Sequence, residues 1–143
     1  LGRIGDDSTL SFLRRGLNES HDRIHDAVVR AFASWPTPTA AEDVLYLAQT
    51  SDKPEHQILC LRSYIKMIGM EPFLKPEAAV RSLETALDLA QRDEEKIMIL
   101  GVLPQFACEN ALKLAQRLIQ DKNLEQEARN AVSLIQEKIK LKI

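Results

Sequence analysis

The stretch His21-Asp22-Arg23-Ile24-His25 sets two imidazoles four residues apart, which on a helix places both on one face. Zinc sites of the HExxH type use that spacing, with the intervening Glu as general base. Here Asp22 stands in the Glu position and is shorter by one methylene. The third histidine, His56, belongs to a later helical stretch and places no third ligand. The segment therefore reads as solvated helix surface, with adventitious metal binding as the weaker alternative. Cys60 and Cys108 form no CxxC, and each falls in an expected helix among apolar neighbours, as buried, inert thiols do. Arg92-Asp93-Glu94-Glu95-Lys96 reads as a solvated helix cap rather than a pair of working carboxylates. Lys138, Lys140 and Lys142 alternate with apolar residues and make no nucleic-acid patch. No phosphate-cradling Gly loop, nucleophile elbow or Ser/His/Asp arrangement is present in the sequence. The expectation is a non-enzymatic chain with no catalytic residue, no metal and no cofactor.

The elements that carry these residues follow from composition and periodicity. At 143 residues the chain has the length of one domain, and its formal net charge of −2 gives no general pull toward nucleic acid or anionic lipid. No apolar run approaches the roughly 20 residues needed to span a bilayer. Aromatics at 5% and five glycines favour helices over sheets. Leu1 to Asp6 reads as the end of one helix and a turn. Asp7 or Ser8 caps a helix with Leu10, Leu13 and Leu17 inward. The next, from about His21 to Ser34, buries Ile24, Ala27, Val28, Ala31 and Phe32. Trp35-Pro36 stops it, with Trp35 packed at the junction. Thr39 and Glu42 have the capping-box spacing for a third helix ending near Thr50. A fourth starts at Pro54, buries Ile58, Leu61, Ile65 and Ile68, and ends at Gly69. Pro76 opens a fifth, reaching about Gln91, with Val80, Leu83, Leu87 and Ala90 inward. A sixth carries Ile97, Leu100 and Leu103 up to Pro104. The seventh spans about Cys108 to Asp121, and Asn123 with Gln126 caps an eighth bearing Leu124, Ala128, Ala131, Ile135 and Ile139. Eight helices and no strand make the chain all-α.

The word LxLAQ occurs three times, from Leu45, Leu87 and Leu112, each late in a helix that alternates with another. Taken as pairs, the second helices begin near Arg23, Glu55, Glu94 and Glu125, at intervals of about 31 to 39 residues, within the range of helical solenoid repeats. The pattern predicts about four stacked helix pairs in one domain over 1–143, with the first repeat truncated and the whole an excised segment of a longer chain.

Leu1-Gly2-Arg3-Ile4-Gly5-Asp6, the Leu-rich helix after it, and Leu17 to Pro36 together resemble the HEAT-repeat family, particularly its bacterial, armadillo-type members. In that family a helix ends LGxIGD and a later outer helix carries V-R…A-V-x-A-L; here that outer helix has His25 where Arg is common. The likeness covers residues 1–36, and later repeats share mainly its periodicity. It implies a right-handed α-α superhelix whose inner helices line a concave face. On that face would lie Glu42, Asp43 and Tyr46, then Arg81, Glu84, Thr85 and Asp88, then Glu109, Lys113 and Arg117. Tyr46 is the best single anchor, combining area with a hydroxyl at low entropy cost. The implied role is a protein-interaction scaffold that binds a protein segment or docks a neighbouring domain of the same chain, with no nucleic acid and no membrane. The stretch from Thr39 to Ile65 also resembles tail repeats of large exported bacterial proteins, implying an accessory domain of a glycan- or haem-handling enzyme outside the cytoplasm. The least favoured alternative is a helical-repeat DNA glycosylase, which would need a cationic groove that these mixed-sign faces do not provide.

Overall fold

The structure, a computed structural model, describes residues 7–18, 21–71 and 73–141. The Leu1–Asp6 motif and Lys142 lie outside the described residues. Among those described there are eight α-helices and no strand. The chain divides into two compact units, 1–70 and 71–143.

The first unit holds α1 (Asp7–Gly16), α2 (Asp22–Ala33), α3 (Ala41–Thr50) and α4 (Pro54–Gly69). Its helices pack as two hairpins, α1 on α2 and α3 on α4, and α2 also packs on α4. Arg14 on α1 donates to both carboxylate oxygens of Asp43 on α3, at 2.8 and 2.9 Å, which ties the two first helices together. Gly16 lets α1 close on α2, because a Cβ there would sit 2.8 Å from Val28 Cγ2. His21 is the N-cap of α2: it has extended backbone, and its Nδ1 accepts from Arg23 N at 3.3 Å. Ser34 closes the same helix by donating to Arg30 O at 2.9 Å. Trp35 is buried at the junction, with Nε1 donating to Thr39 Oγ1 at 3.2 Å.

The second unit repeats the plan with α5 (Pro76–Leu89), α6 (Asp93–Val102), α7 (Glu109–Leu118) and α8 (Glu125–Leu141). Here α5 packs on α6 and α7 on α8, while α5 meets α7 and α6 meets α8. Pro54 and Pro76 each stand at the first position of a helix, where the missing N–H has no intrahelical partner to lose.

Several sequence expectations change. Thr39 is engaged by Trp35 and Thr37, so no side chain caps α3; a short 3-10 helix, Pro38–Ala40, leads into it instead. On α2 the buried residues are Val28, Val29 and Phe32, while Ile24 and Ala27 are exposed, because α2 is covered by α1 on one flank and α4 on the other. Ile97 is exposed on α6, and Glu95 takes the inward place one turn before Ile99. Cys108 is the half-buried N-cap of α7 rather than a helix residue. Glu95 is therefore no solvated cap: it is fully buried and held by Arg92.

Candidate functional site

The three LxLAQ words fall at the ends of α3, α5 and α7, the first helix of three successive hairpins. Their environments match at four of the five letters; the second Leu is buried at Leu47 and Leu114 but half-buried at Leu89. The first Leu (Leu45, Leu87, Leu112) is half-buried and the Ala (Ala48, Ala90, Ala115) is buried, while the Gln (Gln49, Gln91, Gln116) is exposed. The second letter is exposed each time, as Tyr46, Asp88 and Lys113. The word thus packs in nearly the same way three times, running past the end of α5 in its second copy, and presents a different side chain each time.

Around these positions Glu42 is exposed, and Tyr46 is 60% exposed, unusual for a side chain with so much apolar area. Asp43 is half-buried and committed to Arg14, so its carboxylate works as a tie between helices. Arg81, Glu84 and Asp88 are exposed on α5, and Glu109, Lys113 and Arg117 are exposed on α7, the helix packed beside it. Thr85 is half-buried and spends its hydroxyl on Arg81 O at 3.1 Å. Among the described residues no ion pair or side-chain hydrogen bond engages these six of the charged groups on α5 and α7. They offer three cations and three carboxylates to solvent, a surface of mixed sign.

A polar seam that periodicity did not reveal runs between α2 and α4. His56, Cys60, Ser63 and Met67 are all buried and recur at helical spacing along one side of α4. A second stripe, Leu61, Tyr64, Ile65 and Ile68, is buried beside them. His56 Nε2 lies 2.6 Å from Asp26 Oδ1, and Arg30 Nε donates to Asp26 Oδ2 at 2.9 Å. Ser63 donates its hydroxyl to the Ala33 carbonyl. The hydrogen bond from His56, and then that from Arg30, hold the Asp26 carboxyl below its ordinary value. An ionised Asp26 can only accept, so His56 Nε2–H donates to it, and His56 Nδ1 is buried without a hydrogen-bond partner. The His25 ring lies 6.1 Å from that of His56, but no group of three His, Cys, Asp or Glu side chains among the described residues is arranged to hold a metal ion. Cys60, one turn beyond His56, has its thiol pushed up to about 11 by burial, which keeps it protonated at neutral pH.

The seam has a pH signature. A carboxyl whose folded-state pKa lies below its unfolded value of 3.8 adds stability that is fully present above that value and is lost as pH falls through the folded one. Asp26→Asn is expected to flatten the fall in stability below about pH 4, read from urea melts at stepped pH. Superimposable acid limbs for the two proteins would refute that role for Asp26.

No helix among the described residues is long and apolar enough to cross a membrane. The fold defines an all-α protein of packed helical hairpins carrying an internally repeated helix-end word. Compared with family models, with curated proteins and with solved structures, the chain finds no match.

Proposed function

We propose that this chain is a non-catalytic scaffold of HEAT-like repeats that holds a protein segment, or docks a neighbouring domain, on the first helices of its hairpins. The observation that carries this reading is the LxLAQ word, whose first Leu and Ala keep one burial state in all three copies while its outward letter changes from Tyr46 to Asp88 to Lys113. Conserving the packing while varying the outward side chain suits a binding surface built by repetition. In an α-solenoid each repeat buries a stripe against its neighbours, and the first helices line the concave side of a right-handed superhelix. The mixed charge on α5 and α7 suits a polar protein segment better than a nucleic acid backbone, which needs a run of cations.

A photo-crosslinking residue placed at Tyr46 or Lys113 should capture the same partner in the native cell, whereas one at Arg62 or Glu94 on second helices should not. Tyr46→Ala and Arg81→Ala are each expected to leave helicity unchanged and to weaken that partner by about tenfold, within the range of a single anchor residue. Equal capture from all four positions, or unchanged binding in both alanine variants, would remove the first-helix surface from consideration.

A further inference from the structure

The first unit has an open groove between α1 and α2 of about 270 Å³, lined by Phe12, Leu13, Arg15, Gly16, Ile24 and Val28. Its floor exists because Gly16 has no side chain to fill the approach to Val28. Its rim is apolar and wet: Phe12 is 67% exposed, and Ile24 is exposed opposite it. Arg15 is the only charged group in the lining, and among the described residues its guanidinium makes no hydrogen bond or ion pair.

The packing already described shows what kind of element this groove accepts. Aligning the start of α2 at Asp22 with the start of α4 at Pro54 matches Ile24, Val28 and Ala31 to His56, Cys60 and Ser63. The latter three belong to the buried seam of α4 on which α2 packs. Ile24 and Val28 line the groove, so its α2 wall is the repeat-equivalent of a face that seats a helix. Its chemistry asks for two apolar anchors with a carboxylate between them.

Among the described residues, α8 carries a helix face of that description. On α8, Glu127, Asn130, Leu134, Glu137 and Leu141 fall on one side of the helix. Leu134 is 48% exposed, Leu141 is more exposed still, and Glu137 lies between them. The adjacent cation, Lys138, is committed to the Pro104 carbonyl at 3.0 Å. We propose that α8 of a second copy docks in the α1–α2 groove, with Leu134 and Leu141 against Phe12 and Ile24 and Glu137 facing Arg15. The contact is heterologous, groove on one copy and helix on the next, so each copy keeps a free groove or a free stripe and association continues until a ring closes.

Sedimentation velocity on the purified chain across the micromolar range tests this. The wild-type mass should rise with concentration. Phe12→Glu and Leu134→Glu, both at exposed positions, should each remain monomeric with unchanged circular dichroism. An equimolar mixture of the two should form a 1:1 dimer that grows no further, because one variant retains its stripe and the other its groove. Arg15→Glu and Glu137→Arg should each weaken association about tenfold, and the doubly swapped protein should recover it. A wild-type protein that stays monomeric throughout, a single variant that still self-associates, or a mixture that stays monomeric would each overturn the proposal. The contact uses neither Tyr46 nor Lys113, so its failure leaves the first-helix reading standing.

Discussion

Phe32→Ala is expected to lower the unfolding free energy of the first unit by about 3–5 kcal/mol, the cost of removing a buried aromatic ring from a site that cannot collapse around the loss. Phe32 is fully buried on α2, the helix that packs against α1, α3 and α4 alike. The helix that carries it is held by three others, so closing the cavity would require packed interfaces to shift together. The effect can be read locally, because the chain has a single tryptophan, Trp35, which is buried just beyond the end of α2 in the same unit. Urea unfolding followed by Trp35 fluorescence should show a lower midpoint with an unchanged slope. A loss below about 1 kcal/mol would mean that the ring is not the keystone its burial makes it.

The parts of this fold that were legible are those written in apolar periodicity and in stop signals. Pro54, Pro76 and Trp35-Pro36 marked helix boundaries within a residue or two, and the LxLAQ words marked corresponding turns of alternate helices. Illegible were the places where a polar residue does a core residue's work. His56 and Ser63 break the hydrophobic pattern of α4, so its seam toward α2 could not be told from a solvated face. What satisfies them, Asp26 and the Ala33 carbonyl, lies 30 residues away in sequence, beyond any local rule. The tie made by Asp43 was illegible for the same reason: its partner, Arg14, belongs to another hairpin. The depth of the α1–α2 groove rests on an absent side chain at Gly16, and a glycine near a helix end reads in sequence only as a terminator.

Arg92 and Glu95 give the other large expectation, and it concerns an asymmetry. Arg92 is the N-cap residue of α6 and 42% exposed, whereas Glu95, in the first turn, is fully buried. The guanidinium donates to both carboxylate oxygens, at 2.8 and 2.7 Å, and its own pKa is raised chiefly by that bond. The acid also sits where the helix dipole favours negative charge, so two features hold an ionised group inside the unit. Cutting the arginine leaves Glu95 without its fork, and a buried carboxylate must then either stay charged at a large cost or take up a proton. Cutting the glutamate leaves only an arginine that can turn to water. Arg92→Ala should therefore lower the midpoint of thermal unfolding more than Glu95→Leu. Adding Glu95→Leu to Arg92→Ala should restore most of the loss, because no carboxylate then remains in the core and an apolar side chain of similar size takes its place one turn before Ile99. Calorimetry of the two single variants and the double variant closes a mutant cycle on the pair. Equal losses for the two single variants, or losses that simply add in the double, would show that Glu95 reaches solvent once Arg92 is gone and that the pair does not hold a charge in the core.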